Sequence, residues 1–320
     1  MFRTAALMSV AAIALTTAAK ADAIDPNLPV YAPVEGVSGN LVSIGSDTLN
    51  NLMTLWSEGF RSFYPNVAIQ VQGAGSGTAP PALIEGTAQF GPMSRAMRGT
   101  EIESFEERFG YAPIPLRGAI DGIGVFVHRD NPIECLSMQE VDAIFSSTRA
   151  GGADEAITTW GQVGLTGEWA DRPVAMYGRN SASGTFGFFR DVALFGGDFS
   201  SEVREQPGSS TVIQGVASDI GGIGYSGVGY ATADVRAIDI RGDDGECYGP
   251  EAAPTGNYAI ARFLFVYMNV DPNAELEPLR AEFVRYVYSQ QGQQDVVRAG
   301  FFPVVNMIAE QDLRAFGLMD

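Results

Sequence analysis

Between Tyr177 and Phe189 the chain reads YGRNSASGTFGFF, an arginine followed by a Ser-Gly-Thr turn that opens onto an aromatic-rich pattern at helical spacing. Residues of these types can seat a tetrahedral oxyanion. Ser183 and Thr185 offer hydroxyl donors, Gly184 lets the backbone approach a ligand, and the exposed N–H groups of a helix start attract negative charge. Arg179 can add a two-pronged, charge-assisted contact. The same residues also fit a serine N-cap beside a solvated arginine. Matching half-sites elsewhere in the chain favour the first reading.

Three such half-sites follow three short β patterns. Gly45-Ser46-Asp47-Thr48 ends a strand expected over residues 41–44 and precedes Leu49, Leu52, Leu55, Trp56 and Phe60 at helical spacing. Gly73-Ala74-Gly75-Ser76-Gly77-Thr78 ends a strand over 67–72 and leads into helical sequence through Ile84. It fits a backbone nest for an anion, and Thr78 stands where a dinucleotide fingerprint needs its third glycine. Gly91-Pro92-Met93-Ser94-Arg95 ends a short strand expected over 88–90, again ahead of helical sequence.

The elements that must position these turns alternate between β and α patterns. Residues 114–127 form a long apolar, β-branched run with Asp121-Gly122 inside it, and 258–269 form a second; we read them as strands crossing between two lobes. His128, the only histidine, ends the first run as a surface residue. Helices are expected over 137–146, 211–217, 277–288 and 291–299, and strands over 174–177 and 235–240. Residues 241–255 read as an acidic, glycine-rich loop, and 300–304 end the compact part. Residues 221–227 read as a tight glycine turn into a strand. They formally satisfy G-x-G-x-x-G, but no βαβ unit with a following acidic residue supports them, so dense packing is the better reading. The fold class is therefore α/β, two lobes of mixed sheet flanked by helices. The first lobe is expected over 24–122 plus 258–320, the inserted lobe over 123–257.

Composition narrows the chemistry. Residues 1–23 carry Arg3, an Ala-rich apolar run and Ala21-Asp22-Ala23, the pattern of a cleavable secretory leader. No later stretch reaches about 18 uninterrupted apolar residues. Removing Arg3, Lys20 and Asp22 with the leader takes 20 basic and 38 acidic residues to 18 and 37, a net charge of −19. A chain so acidic has no global field for nucleic acid or an anionic membrane face. Lys20 is the only lysine, so Schiff bases, Ser–Lys nucleophiles and a Walker-type lysine are excluded from the mature chain. One histidine and no tight His/Asp/Glu cluster leave little for acid–base or metal catalysis, so neither an enzyme nor a metal or other cofactor is expected. A secreted phosphatase is the remaining enzymatic alternative. Cys135 and Cys247 suit one disulfide in an oxidising compartment, with two buried thiols as the alternative.

Across nearly all of the mature chain the sequence resembles the periplasmic phosphate-binding proteins that serve the phosphate ABC transporter, of the type II periplasmic-binding-protein fold. The resemblance rests on Gly45-Ser46-Asp47-Thr48-Leu49, Gly73 to Gly77, Asp121-Gly122-Ile123-Gly124-Val125, Arg179 with Ser183-Gly184-Thr185, Gly222 to Tyr225, and Ser289 to Gln293 with Ala299-Gly300-Phe301. Arginine followed by Ser-Gly-Thr is the most specific of these. The resemblance implies a periplasmic monomer that grips inorganic phosphate in a cleft, performs no chemistry, and delivers it to the transporter's membrane permease. By position it implies ligand contacts from Thr48, Leu49, Ser76, Arg179, Ser183, Gly184 and Thr185. The chain departs from the pattern at the third turn. Several relatives carry an Asp after the serine, whose carboxylate accepts the hydrogenphosphate proton and rejects sulfate. Here Ser94 aligns with it, or Arg95 if one residue is inserted. Asp47 or Asp121 could substitute as proton acceptor and Arg95 could add a cation; a sulfate or other oxyanion carrier is the alternative reading.

Contacts within hydrogen-bond reach outweigh distant charges screened beyond about 8 to 10 Å. Raising salt from low to physiological levels should therefore leave phosphate affinity level or slightly improved, as read by isothermal titration. A steep loss would mark an exposed electrostatic patch instead.

Overall fold

The computed structural model describes residues 24–319; the secretory leader expected over 1–23 lies outside the described residues. Strand β1 (Gly39–Gly45) pairs in parallel with β2 (Val67–Gly73) from Gly39↔Val67 to Gly45↔Gly73. The connecting helix α1 (Asn50–Phe63) buries Leu52, Met53, Trp56 and Phe60, one apolar stripe at helical spacing. After a single turn of 3₁₀ helix (Ser76–Thr78) come α2 (Ala79–Ile84), β3 (Gly91–Met93) and α3 (Gly99–Phe109). β3 starts three residues later than the sequence pattern suggests. Phe90 makes only an isolated bridge to Ser43, whereas Gly91 to Met93 pair with a later strand.

The chain continues through β4 (Ile114–His128), β5 (Cys135–Ser137), α4 (Met138–Phe145), β6 (Ala175–Arg179), α5 (Gly184–Val192), β7 (Arg204–Gln206) and α6 (Ser209–Ala217). Then follow β8 (Gly222–Gly227), β9 (Val235–Arg241), β10 (Cys247–Tyr248), β11 (Ala261–Met268), α7 (Pro278–Val287), α8 (Gln290–Arg298) and α9 (Asn306–Ala315). The first half of β4 pairs antiparallel with β11, Met268↔Ile114 to Ala261↔Gly122. Its second half pairs with β8 and β9. One long strand thus belongs to two cores. The first core draws on residues 28–119 and 264–316, the second on residues 123–260. Tyr258 and Ile260 pack in the second core.

Two expectations from the sequence are corrected. The glycine run expected as a turn is β8 itself, buried along its whole length between β4 and β6. A Cβ on Gly224 would stand 2.8 Å from Val216 and 2.9 Å from Val212, so bare glycine lets α6 lie directly on the strand. The compact part also does not end near Val304. Helix α9 docks with Ala309 and Phe316 in the first core, and the Asp312 carboxylate accepts from the Arg117 backbone and guanidinium and from the Tyr288 hydroxyl. A buried polar anchor thus sits within an apolar face that includes Ile308 and Leu313. His128 is half-buried, its Nδ1 accepting from the Asp130 N–H at 3.2 Å.

Cys135 and Cys247 form a disulfide with their Cα atoms 6.2 Å apart. It joins β5 and β10, which lie on β9, so the bridge stays on the second-core side. Closing a loop of 112 residues removes chain entropy worth on the order of 4 to 5 kcal/mol at most. Reduction should lower the denaturant midpoint of unfolding while leaving ligand affinity of the folded protein within about twofold, because the bridge lies away from the strand ends that carry the site. Identical midpoints with and without reductant would show that the bridge contributes nothing.

Candidate functional site

The turns after β1, β2, β3 and β6 meet at one place. Thr48 Oγ1 lies 2.9 Å from Thr185 Oγ1, Ser76 Oγ lies 3.2 Å from Ser94 Oγ, and Ser94 Oγ lies 3.5 Å from Thr185 Oγ1. All four residues are buried. Each sits where a strand runs into a turn or helix. The amides of Leu49 before α1, Ser76 at the 3₁₀ turn and Gly184 at the first position of α5 have no acceptor within their own helices. Ser183 is the N-cap of α5, its oxygen accepting from Thr185 N at 3.1 Å and Phe186 N at 3.4 Å. The N-cap reading of this residue was correct, and its hydroxyl proton remains free to donate.

Glycine is required here at two points. A Cβ on Gly184 would fall 2.3 Å from Ser76 Oγ and 2.7 Å from Ser94 Oγ. Gly75 takes φ +111°, and a Cβ there would meet the Ala182 carbonyl at 2.6 Å. The backbones of the Ser76 and Ser183 turns are thus in direct contact, with Gly77 N donating to Ala182 O at 3.1 Å.

Arg179 ends β6 with 1% of its side chain exposed. Its backbone N–H donates to the Tyr225 hydroxyl at 3.1 Å, and Tyr225 stacks on Phe189 of α5 with centroids 3.9 Å apart. The guanidinium donates through Nη1 to Ser209 Oγ at 2.7 Å and through Nη2 to Pro207 O at 3.0 Å, and lies 3.2 Å from Asp47 Oδ2. Its Nε is buried and has no partner among the described residues. Burial pushes the arginine's pKa down, and Asp47 opposes that shift. Asp47 Oδ2 also accepts the Ser209 N–H at 2.8 Å at the start of α6, and the Tyr230 hydroxyl donates to the carbonyls of Asp47 and Thr48.

Two expected residues are engaged elsewhere. Arg95 does not offer its charge to this cluster: Nη1 and Nη2 grip Glu101 at 2.7 and 2.6 Å. Glu101 is the third residue of α3 and also accepts the Arg98 N–H, so the pair caps that helix. Asp121 is engaged at both oxygens. Its Oδ2 accepts Arg262 Nε at 3.1 Å and Nη2 at 2.8 Å, and its Oδ1 accepts Val228 N at 3.1 Å.

Arg262 was missed by the sequence reading. It lies on β11 directly opposite Asp121 on β4, and besides that pair it donates to the Ser94 carbonyl and, at 2.9 Å, to Thr185 Oγ1. An arginine cannot accept, so Thr185 Oγ1 must accept from it and send its own proton elsewhere. Ser94 N likewise donates to Ser76 Oγ at 3.0 Å. A lone arginine in an apolar crossing strand opposite an Asp-Gly was the available signal. Ser209 was also missed, having only a serine-rich helix start to mark it.

A PBP superfamily domain model matches residues 31–291. The chain belongs to the PBP superfamily. It is 49% identical over 319 residues to the phosphate-binding protein PstS of Pseudomonas aeruginosa, covering 99% of both chains. The PstS of Bacillus subtilis is 29% identical over 87% of this chain and 85% of its own. Among solved structures, a putative phosphate ABC transporter substrate-binding protein from Clostridium perfringens, determined with bound phosphate, matches with a TM-score of 0.70 at 23% identity, covering 83% of this chain and all of that one. The superfamily fold is the two-core α/β architecture described above. Among the described residues no helix is long and apolar enough to cross a membrane, and no group of three or more His, Cys, Asp or Glu is arranged to hold a metal.

The Gly184 contact gives a direct test of the meeting of these turns. Gly184→Ala places a methyl carbon inside contact distance of two hydroxyls from the other core, so the turns must separate. Ligand affinity should fall at least about tenfold with little change in melting temperature of the unliganded protein, read by titration and a thermal melt.

Proposed function

We propose that the protein is a periplasmic solute-binding protein that captures inorganic phosphate between two lobes and hands it to the membrane permease of an ABC transporter, without catalysing a reaction. In this reading residues 24–122 with 258–320 form one lobe and 123–257 the other, with Tyr258 and Ile260 at the boundary packing in the second core. The ligand is held by the hydroxyls of Thr48, Ser76, Ser94, Ser183 and Thr185, the amides of Leu49, Ser76 and Gly184, and the Arg179 guanidinium. The observation that carries the proposal is Arg179 itself. A guanidinium almost wholly removed from water, with an unpartnered Nε, sits beside a cluster of hydroxyls from both cores and one helix start. Such a site suits a compact, multiply charged oxyanion that accepts from many directions at once. The near-full-length likeness to the Pseudomonas PstS supports phosphate as that anion and export as its setting. Lobe closure about the β4 and β11 crossings would complete the seat and present one closed shape to the permease.

Titration with phosphate should give one site per chain. Charge-assisted contacts to a desolvated anion are worth about 1.5 to 3 kcal/mol or more, so Arg179→Ala should weaken binding at least about tenfold. Arg179→Lys should recover only part, since an ammonium lacks the planar fork. Arg129→Ala, at an exposed residue of the second-core side, is the control and should bind like the parent. Phosphate giving no heat up to millimolar concentration would refute the proposal.

A further inference from the structure

We propose that Tyr230 is a positioning residue for the anion seat, carried by a short turn that links the two cores apart from the crossing strands, and that it sets the rate of ligand release; the inference rests on the phosphate reading above. Strands β8 and β9 both lie on the second half of β4. Between them the 3₁₀ turn Val228–Tyr230 leaves that core, and its Val228 and Tyr230 side chains pack against the first core. Tyr230 also packs on the cluster of Phe126, Val212 and Val235 on the second-core side, so one side chain touches both. Its hydroxyl shares one proton between the carbonyls of Asp47, at 2.8 Å, and Thr48, at 3.2 Å. Burial and the nearby Asp47 push its pKa up, so it stays a donor at neutral pH. Those carbonyls belong to the turn after β1, which brings Thr48 Oγ1 and the Leu49 amide to the seat.

The rest of the turn is fastened to the same residues. Val228 N donates to Asp121 Oδ1 at 3.1 Å, and Asp121 holds Arg262, which donates to Thr185 Oγ1. Gly227, the last residue of β8, lies against Thr48, for a Cβ there would stand 3.0 Å from Thr48 Cγ2. Gly229 meets the first core backbone to backbone, a Cβ there falling 2.3 Å from the Ala299 carbonyl oxygen. One segment of the second core thus reaches Thr48 directly and Thr185 through Asp121 and Arg262. The Tyr230 and Gly229 contacts cross between the cores, so moving the cores apart breaks them. A contact made only in the closed form slows opening, and with it release, without hastening capture.

The test follows labelled inorganic phosphate binding to and leaving the parent, Tyr230→Phe, Gly229→Ala and Tyr248→Phe. Tyr248→Phe removes a hydroxyl bonded to the exposed Asp244 on the second-core side and is the control, expected to match the parent. In Tyr230→Phe phosphate should leave about three- to tenfold faster, the range that one lost neutral hydrogen bond gives. Its association rate should stay within about twofold of the parent's, and the melting temperature of the unliganded protein should stay near the parent's. Gly229→Ala should also speed release, since the added methyl lifts the turn from Ala299 while leaving the hydroxyl intact, and it decides the matter should Tyr230→Phe not fold. Unchanged release in Tyr230→Phe, or a fall in association alone, overturns the proposal. So does a lower unliganded melting temperature with release unaltered, which marks a residue that only holds the fold together. A parent that takes up no phosphate sinks the function itself, whereas variants that release phosphate at the rate of a binding parent leave the function standing and remove only the positioning role.

Discussion

Two arginines removed from water dictate most of what surrounds the site. Taking a guanidinium out of water costs several kcal/mol unless charge and hydrogen bonds replace its hydration. Arg262 is matched in full, with Asp121 opposite it on the neighbouring strand and acceptors on Ser94 and Thr185. Arg179 is matched in part, by Asp47, Ser209 and Pro207, with Nε left over. The first is a structural charge whose every donor points at protein. The second keeps a donor in reserve. That contrast separates the arginine that builds the site from the arginine that can meet a ligand.

Both arginines also explain why the two cores must lie against each other as they do. Arg262 sits on a strand of the first sheet region yet donates to Thr185 at the start of α5, and Asp47 from the turn after β1 reaches Ser209 at the start of α6. A carboxylate at the N-terminus of α6 is favoured by that helix's dipole as well as by its amide. These contacts span the boundary between cores and involve few residues, so their strength depends on separation. Any separation of the two cores would lose them together. The overall negative charge plays little part, because these pairs act over a few ångströms of low-dielectric interior where distant surface carboxylates are screened.

Much of this was legible in the sequence because the local signals agreed. Strand, polar turn and helix follow each other at Asp47, Ser76 and Thr185, and periodicity located β1, β2, β4, α1 and α4 to within a residue or two. The failures have physical causes. β8 looked like a turn because glycines usually mark turns, while here they make room for α6 against a buried strand. α9 was overlooked because Asp312 interrupts its apolar face, and the partners that satisfy it, Arg117 and Tyr288, lie far off in the chain. Arg95 looked like a ligand because it follows the third turn, but its partner is Glu101, whose position on α3 decides where the guanidinium goes. A charged residue's partner is a fact of three dimensions, and spacing along the chain constrains it weakly.

Arg262 shows the same point in the opposite sense, since its importance lies in directing hydrogen bonds that other residues make. A hydroxyl can donate or accept, so a cluster of four hydroxyls has no fixed polarity by itself. Arginine and a backbone N–H, which only donate, each take one acceptor position, at Thr185 and at Ser76. The register of β4 with β11 sets Arg262 opposite Asp121, and the pair then holds the guanidinium on Thr185. The crossing strands thus hold part of the seat from behind, through Thr185. A substitution at Arg262 would strand the buried Asp121 carboxylate and release Thr185, which is a different loss from removing any one hydroxyl.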